Sequence, residues 1–281
     1  MGDDVAMSTS TSAAAATNLL DQPYAITDEH VARYRRDGCI KLKEVLDAAT
    51  LAIYGPLIRD HVAERAKQLP PLEQRSTYGK AFQQICNLWP DHAEVRRFVF
   101  SQRLARIAAE LMECRGVRMY HDQALFKEPG GGFTPWHADQ QYWPLSSDKS
   151  VTVWIPLQAT PLEMGPLQFA LGSQRLPIGR GLEISDDSER MIGAKLTDLP
   201  KDETPFDLGE VSFHSGWSMH RAGPNRTQEM RGVMTVIYMD MDMRLAKPAN
   251  RNQETDWHGW CPGAQIGQVI DSPLNPVLWQ R

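Results

Sequence analysis

The sequence predicts one α+β domain in which helices come first and a closed or sandwiched antiparallel β core follows. Before about residue 114, apolar residues recur at helical spacing. From Val117 onward they fall into short alternating or continuous apolar runs punctuated by Gly and Pro. The 281 residues suffice to bury a substantial core, and no repeat or linker divides them.

Thr27 and Asp28 supply N-cap chemistry for a helix over 29–36, which Asp37-Gly38 ends. Cys39-Ile40-Lys41-Leu42 then alternates as a short strand. Leu51, Ile53, Leu57, Ile58, Val62 and Ala66 repeat at helical spacing across 48–68, with Pro56 a candidate kink and Pro70-Pro71 a stop. A helix over 93–114 would bury Val95, Phe98, Leu104, Ile107, Ala108 and Leu111 along one stripe. Strands are expected over 118–127, 150–157, 167–171, 210–213 and 232–239, followed by an irregular Trp-containing tail. Residues 1–24 begin Ala/Ser/Thr-rich, with Asp3 and Asp4 near the start, and read as a disordered tail ahead of a single domain over 25–281.

A hydrophobic content of 42% with 23% charged residues fits a globular chain rather than a disordered or membrane one. The formal net charge of -5 argues against nucleic-acid binding through bulk positive charge. Cys39, Cys86, Cys114 and Cys261 form no CxxC pair, so reduced thiols of a cytoplasmic protein are expected. No apolar run is long enough to span a bilayer, no secretory leader is evident, and the terminal Leu278-Trp279-Gln280-Arg281 is not a peroxisomal address. The expected partner is a small molecule, with no nucleic acid, membrane or obligate protein partner.

Gly130-Gly131-Gly132-Phe133-Thr134-Pro135-Trp136-His137-Ala138-Asp139 is the segment richest in chemistry. On an extended backbone, residues two apart project to one side, so His137 and Asp139 can share an ion. His-x-Asp alone equally fits a turn histidine bonded to its neighbour, so a further ligand is needed. A second histidine would complete a 2-His-1-carboxylate facial triad, which suits iron(II) because open positions remain for a chelating co-substrate and dioxygen. The stretch from Phe213 to Arg226 offers His214 and His220 near a Gly-Pro-Asn turn. Beyond it, an apolar strand begins with Arg231. A guanidinium there is costly to bury without an anion, and a carboxylate of 2-oxoglutarate would match its fork.

His137-Ala138-Asp139, then His220-Arg221-Ala222-Gly223-Pro224-Asn225, then Arg231 resembles the phytanoyl-CoA dioxygenase family. The likeness covers most of the chain, from the helix before Gly38 through Lys127-Glu128-Pro129-Gly130 to Trp154-Ile155-Pro156-Leu157 and Gly165-Pro166-Leu167. The resemblance implies a mainly β, cupin-like jelly roll (a double-stranded β-helix) with the N-terminal helices packed on the larger sheet. It implies His137, Asp139 and His220 as catalytic iron(II) ligands and Arg231 as the clamp for the distal carboxylate of 2-oxoglutarate. Gln123 and Trp154 occupy positions that touch this co-substrate in relatives, although an interior polar residue and a core tryptophan would look the same. The context favours His220 over His214, and Arg231 over the turn residue Arg226. Some relatives carry a serine two residues after the distal histidine, whereas this chain has Ala222.

The implied reaction consumes dioxygen and 2-oxoglutarate, releases succinate and CO2, and hydroxylates an unactivated C–H bond. Desaturation, ring formation and epimerisation are outcomes of the same chemistry. Related halogenases have a small residue where Asp139 stands, so its carboxylate favours hydroxylation over halogenation. Trp136, Tyr142, Trp143 and Trp217 flank the metal segments, and Trp257 and Trp260 lie in the tail. They suit an apolar or cation-accepting pocket under a mobile cover, or ordinary core packing. Trp143, Trp217 and His121 are the candidate substrate contacts. The polar stretch 179–205 reads as a gate or a solvated connection. No basic cluster calls for coenzyme A. Two rival readings are a cupin-like metalloenzyme that does not use 2-oxoglutarate and a barrel that binds without turnover.

Overall fold

The computed structural model describes residues 19–281. The first helix, α1 (Asp28–Asp37), is capped by Thr27, whose hydroxyl accepts from the His30 amide, and ends at Gly38 in the left-handed conformation. In α2 (Ala48–Ala66), Asp47 caps the start and the helix runs on through Pro56. A short helix, α3 (Thr77–Ala81), follows. The single helix expected over 93–114 is two, α4 (Ala93–Val99) and α5 (Gln102–Leu111). Ser101 makes the break: its hydroxyl accepts from the Leu104 amide and donates to the Leu20 carbonyl. Residues 1–18 of the expected tail lie outside the described residues. Leu20 is fully buried and Asp21 pairs with Arg97, so the packed chain begins before residue 25.

The larger sheet runs, in spatial order, β1 (Cys39–Leu42), β8 (Val211–Ser215), β5 (Ser150–Pro156), β10 (Val233–Asp240) and β3 (Gly116–Phe126). Two strands share the outer edge of β3: β2 (Gln83–Cys86) pairs with its end and β11 (Val277–Gln280) with its start. The smaller sheet runs β4 (Thr134–His137), β9 (His220–Ala222), β6 (Leu167–Ala170) and β7 (Lys201–Asp202). All these pairs are antiparallel. The two sheets face each other across a cavity, giving the jelly roll that the sequence implies.

Strand alternation assigns the two faces of the larger sheet. Val151, Val153 and Ile155 of β5 and Met234 and Val236 of β10 join Leu104, Ile107, Ala108 and Leu111 of α5 in the main core. Each fully buried aliphatic side chain there stabilises the fold by about 1.5–3 kcal/mol relative to exposure. Thr152, Trp154 and Thr235 turn instead toward the cavity. In β3 the register against β10 slips: His121 faces Ile237, and Met119 faces Tyr238. This bulge at Tyr120 lets Tyr120 pack on Trp143 while His121, its neighbour, lines the cavity.

The C-terminal segment is more regular than expected, with α7 (Arg251–Trp260) and β11. The stretch 179–205 is also structured: α6 (Asp186–Lys195), opened by a Ser185/Ser188 capping box, packs on β4, and β7 pairs with β6. Among the described residues, no helix is long and apolar enough to cross a membrane.

Candidate active site

His137 ends β4, His220 begins β9, and the two are cross-strand partners with ring centroids 4.1 Å apart. Asp139 opens the 3-10 turn Asp139–Tyr142 immediately after β4. Its Oδ1 lies 3.6 Å from Nε2 of each histidine. The candidate ligand atoms all fall within 4.8 Å of one another, a spacing that one metal ion could bridge. Each histidine is held from behind: His137 Nδ1 is 2.7 Å from the Pro135 carbonyl and His220 Nδ1 is 3.0 Å from the Ser218 carbonyl. A carbonyl only accepts, so Nδ1 carries the proton and Nε2 turns its lone pair to the centre. Burial, reinforced by neighbouring His137, holds the His220 pKa well below its usual value and keeps the ring neutral. Burial opposes the Asp139 charge, yet the histidines around it, His220 foremost, hold its carboxyl well below the usual carboxylate range.

His214 stands elsewhere. It is on β8, in the opposite sheet, and its Nε2 meets the other Asp139 oxygen, Oδ2, at 3.3 Å. Thr152 donates to the same oxygen at 3.0 Å. His214 and Thr152 therefore brace the carboxylate, while His137 and His220 share its outer oxygen.

Arg231, just before β10, is only 2% exposed. Its Nη1 donates to the Gly165 carbonyl at 2.5 Å, and its buried Nε has no hydrogen-bond partner. Burial alone lowers its pKa to about 9. The guanidinium lies 5.4 Å from the Trp154 ring. Gly165 is there for a steric reason: φ is +70°, and a Cβ would sit 2.2 Å from the Gly223 carbonyl oxygen. Arg226 is exposed in its turn.

Gln123, Thr235 and Trp154 form one row across β3, β10 and β5. Gln123 Oε1 accepts from Gln84 Nε2 at 2.6 Å. Ala222 faces Thr134 across the smaller sheet, and the Thr134 hydroxyl is buried in the cavity wall without a partner. The oxygen that Ala222 lacks is thus available one strand away.

A cavity of about 430 Å³ takes in the triad, Arg231, Gln123, Trp154, His121 and Trp143. Trp217 is a correction: it lies outside the wall, packed against the cluster around Ile178 and Ile192 and covered by Arg180 at 4.4 Å. Being near the metal segment in sequence did not bring it near the cavity in space. Trp260, one of the tail tryptophans that suited a pocket, is in the wall, together with residues the sequence did not single out: Tyr78 of α3, Glu183, and Asn252 and Asp256 of α7. Their 252/256/260 spacing was the available signal, since positions four apart share a helix face. One further contact ties the site together. Glu189 of α6 accepts from the Trp136 amide at 2.8 Å, beside His137, and from Arg221 at 2.9 Å, beside His220.

The family model described as Phytanoyl-CoA dioxygenase (PhyH) matches residues 34–233. A probable alpha-ketoglutarate-dependent hypophosphite dioxygenase of Stutzerimonas stutzeri is 26% identical over 133 residues, 45% of this chain and 46% of that protein. The chain spans about half the length of the curated relatives it matches. The non-heme alpha ketoglutarate dependent carbocyclase SnoK superposes with a TM-score of 0.75 at 22% identity, covering 91% of this chain and 99% of its own, a likeness of fold. The epimerase SnoN, from the same nogalamycin biosynthesis, gives 0.72 at 25% identity over 89% of this chain and 97% of its own.

Proposed function

Because the chain belongs to the phytanoyl-CoA dioxygenase family, we propose that it is an iron(II)- and 2-oxoglutarate-dependent oxygenase acting on a small molecule. His137, Asp139 and His220 would hold the iron, and Arg231 would clamp the distal carboxylate of 2-oxoglutarate. The observation that carries the reading is Arg231 itself. A guanidinium buried in a cavity wall, with a free Nε and burial as the sole influence on its pKa, calls for an anion. A metalloenzyme that does not use 2-oxoglutarate would leave this charge unexplained. The unpartnered Thr134 hydroxyl supports the same occupant.

The donor set fits the metal: two neutral imidazoles and one carboxylate suit iron(II) with open positions. When bound, iron and 2-oxoglutarate supply the oxidising power for C–H cleavage, with dioxygen as oxidant and succinate and CO2 as products. The chain's own residues supply position and shielding. The carbonyls of Pro135 and Ser218 fix both imidazole tautomers, and His214 and Thr152 restrain Asp139. Trp154 forms an apolar wall beside Arg231, which strengthens any pairing made there. Hydroxylation is the outcome we favour, since Asp139 fills the position that a chloride would need. The domain proposed is the unit over residues 25–281 together with the packed residues just before it.

The test is the visible charge-transfer absorption of a keto acid chelated to iron(II). It should develop when 2-oxoglutarate is added anaerobically to the iron-loaded protein. If iron binds but no band appears, the metalloenzyme without 2-oxoglutarate becomes the better reading. If the band appears with no turnover against a metabolite panel, a binding barrel does.

A further inference from the structure

The oxygenase reading leaves much of the cavity wall unused. Helix α7 turns Asn252, Asp256 and Trp260 toward the cavity, each one turn beyond the last. His121, from the bulged part of β3, is only 5% exposed and lines the same space. Its Nδ1 lies 3.2 Å from the Asp122 carbonyl, an atom that only accepts, so Nδ1 carries the proton. Nε2 is left as a lone pair with no protein donor among the described residues. Burial keeps the ring neutral, lowering its pKa to about 4. Burial likewise raises the Asp256 carboxyl to about 7, with Trp260 and Tyr120 beside it, and no Lys or Arg offsets it. Trp260 stands 5.0 Å from the His121 ring, and Trp143 and Tyr142 complete an aromatic surround. Glu183 adds a second carboxylate at the mouth, held by Asn252 at 2.8 Å. The one Lys or Arg in the wall, Arg231, is taken by the co-substrate in this reading.

A lone pair, a carboxylate and several π faces, with no cation of the protein among them, define the missing ligand by its chemistry. Resting on the oxygenase reading, we propose that the substrate is a small-molecule amine. Its ammonium group is held between Asp256 and His121 and against Trp260, which directs the carbon to be oxidised toward the triad. A cation in this place satisfies the Asp256 charge, fills the open His121 acceptor and gains from the indole face.

Three matched probes test this by calorimetric titration: 2-phenylethylamine, 2-phenylethanol and 3-phenylpropanoate. Each is titrated into the metal-free protein and into the anaerobic protein loaded with iron(II) and 2-oxoglutarate. The amine should bind roughly ten- to a hundredfold more tightly than the alcohol, the range for a hydrogen bond to a charged group, and the acid should bind most weakly. Asp256→Asn should bring amine and alcohol to within about threefold of each other. Glu183→Gln, at the screened rim, should change the preference much less. Equal binding of amine and alcohol, failure of the amine to bind at millimolar concentration, or a preference that survives Asp256→Asn would overturn the proposal. The charge-transfer band on the same samples is a separate readout. A band without amine preference sinks the amine proposal alone, and amine preference without a band sinks the oxygenase reading alone.

Discussion

Replacing Arg231 by Leu should weaken 2-oxoglutarate binding strongly while iron binding changes little, and the metal-free protein should not lose stability. Both halves follow from the same burial. Desolvation drags the guanidinium to about 9 from a usual value of 12.5. At about 1.4 kcal/mol per unit, keeping the charge there without a partner costs on the order of 4–5 kcal/mol. A bound carboxylate offsets much of that cost, and removing one member of a buried charge pair typically loses about 2–5 kcal/mol. The affinity loss is therefore roughly thirty-fold to several thousand-fold. In the metal-free protein the same substitution removes an uncompensated charge, at the cost of one hydrogen bond to the Gly165 carbonyl. Anaerobic titration of 2-oxoglutarate into the iron-loaded variant, followed by the charge-transfer band, reads the first effect. Denaturant unfolding of the metal-free protein reads the second. Arg231→Lys should recover only part of the affinity, because an ammonium keeps the charge without the planar fork. Wild-type affinity in Arg231→Leu would refute the reasoning, and a large loss in exposed Arg226→Leu would move the clamp to the turn.

His220→Ala should lose iron(II) affinity in equilibrium dialysis, while His214→Ala, which removes a brace on Asp139, should lose far less; the reverse order would exchange their roles. Asp139→Ala should give no hydroxylated product, so wild-type product formation with coupled succinate release would remove Asp139 from the ligand set. Gly165→Ala, whose Cβ would meet the Gly223 carbonyl oxygen at 2.2 Å, should cost about 1–3 kcal/mol in denaturant unfolding and weaken 2-oxoglutarate binding; no change in either would show that the close approach does not set Arg231. For Asp256, burial raises the carboxyl to about 7 in the folded protein, so the folded state holds its proton more tightly than the unfolded chain. The contribution of Asp256 to stability should therefore fall as pH rises from about 4 to about 7. Asp256→Asn should remove that part of the slope and gain on the wild type by up to a few kcal/mol at about pH 8, and a difference independent of pH would contradict the assignment.

The elements that set this fold were visible where one period dominated. Alternation in β5 and β10 separates Val151, Val153 and Val236 from Thr152, Trp154 and Thr235, and the structure puts those sets on opposite faces of one sheet. The candidate ligands were legible for a similar reason, since a two-residue spacing and a Gly-Pro-Asn turn are local facts. What was not legible depended on long-range register. The local context favours His220 over His214 but gives no role for His214, which comes from β8 and β9 belonging to opposing sheets. The bulge that brings His121 to the wall is a mismatch between β3 and β10, and it leaves no mark in either strand alone. Trp217 misled because aromatic residues near a motif in sequence need not share its cavity. The α7 face was hidden by a tail in which polar residues outnumber apolar ones, so no hydrophobic stripe announced a helix.

Glu189 also has a consequence for which parts of the fold can move independently. By gripping the backbone beside His137 and the side chain beside His220, it makes α6 a strut rather than a door. Swinging that helix outward would pull on both strands that carry the histidines, so α6 is tied to the geometry of the triad. Helix α7, which lines the cavity with Asn252, Asp256 and Trp260, is by contrast only half-buried. Across the threshold runs the hydrogen bond from Asn252 to Glu183. Parting Asn252 from Glu183 would break that contact without pulling on β4 or β9, the strands that carry the histidines.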